Sequence, residues 1–262
     1  MKSIIHNKEL RKKIVDMVYA AKEGHIPSNF SIVDIINHLY ENEIDLRLSS
    51  KNKNLRDYFI LSKGHGAAAL YAVLEKMNII KLSDLKKYSL LNGKLGGHPD
   101  TTKIPYVEAS TGSLGHGFPS SVGTALALKI KKLNNKVYCL VGDGECHEGT
   151  IWESANVASN LKLNNLTVIV DLNNSAKQLM PIDNLFKKFS SFGFETFYCD
   201  GHSNESMRSV FLKIKMSKNT KPKAIIAKTI KGYGVPLTTG HGKWHHKIPN
   251  LDEYNEIMSF LE

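Results

Sequence analysis

The sequence of 262 residues predicts a doubly wound α/β fold, in which helices flank a mainly parallel sheet. Two observations indicate this fold. Short apolar segments, typical of strands, alternate along the chain with segments of helical character. Glycine-rich loops follow several of the apolar segments, and ligands of such sheets bind at the carboxyl ends of the strands. We expect one domain that spans residues 1–262.

Five apolar segments are predicted as strands. In chain order they are 58–61, 136–141, 166–172, 194–199 and 224–229. The second and third are apolar at nearly every position, as expected of strands that helices cover on both faces. Helical segments lie before and between the strands, at 10–21, 67–77, 151–161 and 203–216. Another helix is expected near Ser31, where Asp34 three residues later predicts a capping box.

The composition, 42% hydrophobic and 23% charged, is that of an ordinary soluble protein. No segment approaches the ~20 apolar residues that cross a bilayer, and the charged N-terminus does not fit a secretory signal. We therefore expect a cytoplasmic protein with no membrane partner. The three cysteines form no C-x-x-C pair, which fits a reducing compartment. The net charge of +10 comes from lysines spread along the chain, so we expect no nucleic-acid partner.

Polar residues follow two consecutive predicted strands. Gly142, Asp143 and Gly144 follow the second strand, and Asn173 follows the third. Glycine lets a backbone approach a ligand closely, and Mg²⁺ takes one or two carboxylates together with phosphate oxygens. The pattern fits a magnesium and diphosphate site. An ordinary turn with a helix-capping asparagine explains the same residues equally well.

Histidines occur in several of the loops. A single loop histidine is more often a surface residue, but four separate loops with histidines favour a functional role, because imidazole donates or accepts protons near neutral pH. His245 and His246 are adjacent. Neighbouring side chains of an extended segment point in opposite directions, so we expect only one of these two in a site.

The segment GDGECHEGTIWESANVASNLKLNNLTVIVDLNN at 142–174 resembles the thiamine-diphosphate enzymes, and transketolase specifically. Other segments resemble that family in the same order along nearly the whole chain. They are AAKEGHIPSNFSIVDII, DYFILSKGHGAAALYAVL, GKLGGHP, EASTGSLGHGFPSSVGTALALK, KTIKGYGVP and KWHHKIPN. The resemblance implies the thiamine-diphosphate-binding fold of the diphosphate-binding type.

The same resemblance implies roles for individual residues. Thiamine diphosphate and Mg²⁺, or Ca²⁺ or Mn²⁺ in its place, are the implied cofactors. The implied metal ligands are Asp143, Asn173 and the carbonyl of Ser175. Besides Asp143 and Asn173, the implied cofactor-binding residues are His65, Gly112, Leu114, Gly142, Gly144, Glu148 and His241. In the family, the glutamates that match Glu148 and Glu153 lie at the subunit contact.

The implied catalytic residues are histidines that line the channel to the reactive carbon, namely His25, His65, His98 and His245. His245 is preferred to His246 because the family usually has a glycine after its Trp-His pair. The resemblance implies the transfer of a two-carbon ketol unit from a ketose phosphate to an aldose phosphate.

In the family, the glutamate that binds the aminopyrimidine of thiamine lies in a second domain. We expect the pyrimidine-binding and C-terminal domains on another chain, so the resemblance is to the N-terminal subunit of a split transketolase. The expected assembly is a heterotetramer with a C-terminal-type partner, which supplies that glutamate.

Two other functions stay open. One is a specialised thiamine-dependent synthase, such as a relative of 1-deoxyxylulose-5-phosphate synthase. The other is a binding homologue without catalytic activity. A dinucleotide-binding Rossmann domain is excluded because no G-x-G-x-x-G follows the first strand. The segments 26–29 and 174–178 depart from the family pattern, so the substrate and the metal geometry are the least determined.

Overall fold

The computed structural model describes residues 6–46, 56–178, 180–240 and 242–262. Within these ranges the chain forms five strands and ten α-helices, with short 3₁₀ turns between some of them. None of the helices in the described ranges is long and apolar enough to cross a lipid bilayer.

The strands form a single parallel sheet. They are β1 (Tyr58–Leu61), β2 (Val137–Gly142), β3 (Leu166–Leu172), β4 (Glu195–Asp200) and β5 (Lys223–Lys228). Their order across the sheet is β1-β2-β3-β5-β4, and every neighbouring pair is parallel. The five predicted strands and the parallel α/β architecture are confirmed. β2 is buried at every residue and β3 at all but the last, as their apolar sequences predict.

Helices cover both faces of this sheet. They are α1 (Lys8–Ala21), α2 (Ile26–Phe30), α3 (Val33–Asn42), α4 (Ala67–Lys76), α5 (Leu82–Leu85), α6 (Gly117–Ile130), α7 (Gly149–Asn160), α8 (Leu185–Ser191), α9 (Asn204–Met216) and α10 (Leu251–Phe260). The predicted helices at 67–77, 151–161 and 203–216 correspond to α4, α7 and α9. The short helix α2 lies in a segment for which no helix was predicted.

The sheet separates two hydrophobic cores. Leu140 belongs to the core that includes α1, α3, α4 and α9. Its neighbour Val141 belongs to the core that includes α6, α7 and α8. Successive residues of a strand point to opposite faces, so a continuous apolar strand contributes to both cores.

The capping box predicted at Ser31 and Asp34 is wrong, since no side-chain hydrogen bond caps α3. Asp34 instead forms a buried ion pair with Arg11 at 2.7 Å and lies 2.7 Å from Nδ1 of His202. The hydroxyl of Ser31 donates to Asp171 at 2.8 Å. Contacts with residues far along the chain thus replace the local cap.

Candidate functional site

A cavity of about 820 Å³ lies at the carboxyl ends of the strands. Loops that follow β1, β2, β3 and β5 contribute to its lining, as expected for a parallel α/β sheet. Most residues predicted for the site line this one cavity. They are His25, His65, His98, Gly112, Leu114, Gly142, Asp143, Gly144, Asn173, Ser175 and His245.

One side of the cavity, here called the floor, is built at the ends of β2 and β3 from Lys63, Asp143, Asp171, Asn173 and Ser175. The sheet register pairs the last residue of β2 with Asp171, and the backbone N–H of Asp143 donates to the carbonyl of Asp171 at 3.1 Å. The amide of Asn173 donates to the Asp171 carboxylate at 2.8 Å, and its oxygen accepts from the N–H of Ser175 at 2.9 Å. The strand pairing therefore fixes the floor.

A buried ion pair lies within the floor. Nζ of Lys63 is 2.6 Å from Oδ2 of Asp171, and the two side chains are 3% and 0% exposed. Burial alone would raise the pKa of Asp171, but Lys63 and the hydroxyls of Thr229 and Ser31 hold it below its ordinary value. Asp171 is therefore ionised and compensated. Lys63 also lines the cavity, so its charge would act on a ligand bound there.

Asp143 has a different environment. Burial and the nearby charge of Asp171 raise the pKa of Asp143 to about 6. Its carboxylate accepts a hydrogen bond from the N–H of Gly144 at 2.8 Å. Within the described residues no ion pair to Asp143 is found. A cation bound beside Asp143 would favour the ionised form.

Lys231 reaches the floor from the loop after β5. Its Nζ lies 2.7 Å from Oγ of Ser175 and 2.7 Å from Nδ1 of His245. Burial and the charge of Lys63 lower the pKa of Lys231 to about 8. A second cation therefore lies where the floor meets the histidines.

Glu145 connects three segments of the cavity through hydrogen bonds. Its carboxylate accepts from the hydroxyl of Ser62, from the N–H of Gly115 at 2.9 Å and from the N–H of Gly142 at 3.1 Å. Burial nevertheless raises its pKa. One buried side chain thus connects the loop after β1, the loop before α6 and the end of β2.

Glycine allows two of these loops to approach each other closely. A Cβ placed on Gly64 would lie 2.7 Å from the backbone nitrogen of Gly112. Cβ atoms in proteins do not approach non-bonded atoms this closely. A larger residue at Gly64 would push apart the loops that carry His65 and Leu114.

Another part of the cavity lining, here called the histidine wall, consists of His25, His65, His98 and His245. The ring centroid of His25 lies 5.3 Å from that of His65 and 5.4 Å from that of His245. Burial and then the neighbouring histidines lower the pKa of His25 to about 3. Burial and then the charge of Lys63 lower the pKa of His65 to about 2. Both rings are neutral near pH 7 and can donate or accept a hydrogen bond.

Only His245 of the two adjacent histidines lines the cavity, but the reason given for expecting one of them is wrong. The segment forms turns and bends and is not extended, so neighbouring side chains do not alternate. The ring of His246 lies 4.5 Å from that of His25, closer than the ring of His245. His246 does not line the cavity, and its side chain is 52% exposed.

The side chains of the cavity fit a diphosphate and a divalent cation. Lys63 and Lys231 supply positive charge, and the donor set of Asp143, Asn173 and backbone groups is rich in oxygen, which Mg²⁺ prefers. His147 also lines the cavity, and its buried Nε2 has no hydrogen-bond partner in the described part of the chain. A polar ligand would satisfy that atom.

The described acidic, histidine and cysteine side chains do not complete a metal site by themselves. Within the described residues, no group of three or more His, Cys, Asp or Glu side chains has an arrangement that would hold a metal ion. A cation at Asp143 would therefore need further oxygen ligands from amide and carbonyl groups, from phosphate and from water. This is the usual way in which Mg²⁺ binds together with a phosphorylated ligand.

Comparison with known proteins agrees with this geometry. A family model described as "Transketolase, thiamine diphosphate binding domain" matches residues 3–258. An apulose-4-phosphate transketolase subunit of Actinobacillus succinogenes is 38% identical over 261 residues, with coverage of 97% of this chain and 94% of the relative. The corresponding subunit of Phocaeicola vulgatus is 34% identical over 259 residues, with coverage of 97% and 92%.

The chain belongs to the transketolase family. Among solved structures, the transketolase of Campylobacter jejuni superposes with a TM-score of 0.86 at 32% identity, over 96% of this chain and 42% of that longer chain. The resemblance inferred from the sequence, to the N-terminal subunit of a split transketolase, is therefore confirmed.

One residue predicted for the transketolase site, Glu148, lies outside the cavity lining. It is exposed at the start of α7 and packs against Gly115. Glu153, predicted at a subunit contact, is exposed on the same helix. His241 lies outside the described residues.

The sequence analysis missed several side chains of this transketolase cavity. Lys63, Lys231 and His147 were not predicted for the site, and Glu145 was not assigned a role there. Lys63 and Lys231 lie in SKGHG and KTIKGYGVP, segments that carry the family resemblance. Their position at strand ends was a usable signal, but lysine is so frequent in this chain that its charge alone did not distinguish them.

Proposed function

We propose that this chain is the diphosphate-binding subunit of a split transketolase, which moves a two-carbon ketol unit from a ketose phosphate to an aldose phosphate. The observation that carries the proposal is the match to nearly the full length of two transketolase subunits. The cavity supports it, because a floor suited to diphosphate and a wall of histidines face the same space.

The floor would hold the cofactor. We assign Asp143, Asn173 and the carbonyl of Ser175 as ligands of Mg²⁺, or of Ca²⁺ or Mn²⁺. Lys63 and Lys231 would supply positive charge opposite the diphosphate. Gly142 and Gly144 would allow its close approach, Gly112 and Leu114 would lie against the rings, and Glu148 and His241 complete the proposed set of cofactor contacts.

The histidine wall would bind and orient the sugar. When bound, thiamine diphosphate supplies the nucleophilic carbon and the electron sink for carbon–carbon cleavage. The neutral rings of His25 and His65, together with His98 and His245, would orient the hydroxyl and carbonyl groups of the sugar and exchange protons with its oxygens. His65 would in addition contact the diphosphate.

The proposed assembly has two kinds of chain. This chain, as one domain, would provide the floor and the histidine wall. A C-terminal-type transketolase chain would provide the glutamate that binds the aminopyrimidine. We propose a cytoplasmic heterotetramer of two chains of each kind. The relatives support the partner, since each of them is named as one subunit of a transketolase, which implies a second kind of chain.

The test is reconstitution. The chain is purified alone and together with its co-expressed partner, and each sample is assayed with thiamine diphosphate, Mg²⁺, xylulose 5-phosphate and an aldose phosphate. We expect ketol transfer only with the partner, and loss of transfer after metal removal with EDTA. Full activity of the single chain would contradict the split enzyme, and turnover of pyruvate in place of xylulose 5-phosphate would contradict the transketolase reaction.

A further inference from the structure

Glu23 and His246 form a pair on the outer side of the histidine wall. Nε2 of His246 lies 3.3 Å from Oε1 of Glu23, and the ring of His246 lies 4.5 Å from that of His25. The side chains of His246 and Glu23 are 52% and 46% exposed, whereas His25 lines the cavity. The pair therefore lies between the inner histidines and the solvent.

Two parts of the fold hold Glu23 in this place. Its neighbour Gly24 has a φ of 132°, and a Cβ there would lie 2.6 Å from Cγ2 of Val18, so the turn after α1 is closely packed. Glu23 also lies beside the residue that precedes His98, because a Cβ on Gly97 would be 3.7 Å from Oε1 of Glu23. The pair thus borders the segments of both His25 and His98.

The chemistry of the pair differs from that of the floor. The carboxylate offers hydrogen-bond acceptors, and the ring nitrogen of His246 that does not face Glu23 offers a further donor or acceptor, depending on the tautomer. Together they match a hydroxyl group, which both donates and accepts. The negative charge of Glu23 disfavours a phosphate at this position. The cations Lys63 and Lys231 lie at the floor, so the outer pair suits the uncharged polyol part of a sugar.

We propose that Glu23 and His246 form an outer subsite that binds the hydroxyl groups of the ketose beyond its reacting carbonyl. The pair then helps determine which sugar chains the enzyme accepts. This inference rests on the proposed function, because it requires a sugar that enters past His25.

The test uses the complex of this chain with its partner, loaded with thiamine diphosphate and Mg²⁺. Two donors are compared: xylulose 5-phosphate, which carries hydroxyls beyond the carbonyl, and 3-hydroxypyruvate, which has the same hydroxyketone group and no further hydroxyl. For Glu23→Ala and for His246→Ala we expect the KM of xylulose 5-phosphate to rise about tenfold, as for loss of a hydrogen bond to a charged group. The KM of hydroxypyruvate should change by less than about twofold, because hydroxypyruvate does not reach the pair.

Matched controls are His6→Ala and Glu256→Ala, which remove exposed side chains outside the cavity lining. They should leave both KM values unchanged, and all four variants should bind thiamine diphosphate with wild-type affinity in calorimetry. An unchanged KM for xylulose 5-phosphate, or an equal rise for both donors, overturns the outer subsite. A wild-type complex that transfers no ketol unit from either donor overturns the proposed function and this inference with it.

Discussion

The floor and the histidine wall of the cavity are built by different kinds of structure. At the floor, Asp143 and Asn173 lie at the ends of neighbouring strands, and backbone and side-chain hydrogen bonds to Asp171 fix their separation. At the wall, His25, His65 and His245 come from three loops and meet through ring contacts of 5.3 to 6.1 Å between centroids.

The floor and the histidine wall also differ in their charge. The floor carries charged groups, among them the ion pair of Lys63 and Asp171. Two rings of the wall are kept neutral by burial, because the pKa of His25 is lowered to about 3 and that of His65 to about 2. A charged floor suits a charged ligand, and a neutral wall suits hydroxyl and carbonyl groups.

The largest effect on stability is expected from Lys63→Met. This substitution leaves the carboxylate of Asp171 buried without its cation, so the free energy of unfolding should fall by about 3–5 kcal/mol. The double variant Lys63→Met/Asp171→Asn removes both charges and should be more stable than the single variant. Urea denaturation measures both. Equal losses in the two variants would show that the ion pair does not stabilise the floor.

A smaller effect is expected from Glu145→Gln, which perturbs the link between the floor and the loops that carry the wall. The amide replaces one carboxylate oxygen by a donor that faces another donor, Ser62, Gly115 or Gly142. Stability should fall by about 1–3 kcal/mol. Glu153→Gln on the exposed face of α7 is the matched control and should change stability by less than about 0.5 kcal/mol. Similar losses in both variants would contradict the linking role.

The smallest effect concerns the neutral state of the wall. Because the pKa of His65 is lowered to about 2, the unfolded chain binds a proton at His65 below pH ~6.5 that the folded chain does not bind. The resulting stability is fully present above pH ~6.5 and is lost as the pH falls. At pH 5.5 the loss should be about 1.4 kcal/mol.

His65→Gln should remove this part of the acid destabilisation, whereas His6→Gln, at an exposed histidine, should not. Urea denaturation at pH 7.5, 6.5 and 5.5 checks both variants. An unchanged pH dependence in His65→Gln would mean that His65 is protonated in the folded chain.

The sequence pattern explains how strand-end residues of the floor meet, but it does not explain the contact between His25 and His246. Gly142, Asp143 and Asn173 lie at the ends of apolar segments, and the parallel pairing of those segments brings the ends together. The apolar pattern that predicts the strands therefore also predicts where these residues lie. No such rule places His246 beside His25, because 221 positions separate them and only the turn after α1 and the loop before α10 bring them together.

Buried charge pairs were equally hard to predict. The capping box at Ser31 and Asp34 failed because Arg11 and His202 compete for the same carboxylate. Lys63 was one lysine among many in the sequence, and only the fold places Asp171 within 2.6 Å of it. A local pattern does not contain such distant partners.

The central claim is that Asp143 anchors the metal and the diphosphate. It is tested most directly by calorimetric titration of thiamine diphosphate, with Mg²⁺, into the complex of the chain and its partner. Asp143→Asn keeps the acceptor for the N–H of Gly144 and removes only the charge. The affinity should fall by about 100-fold or more, as expected for a lost charged ligand, and wild type with EDTA should show a similar loss. Wild-type affinity in Asp143→Asn would contradict the assignment of the floor.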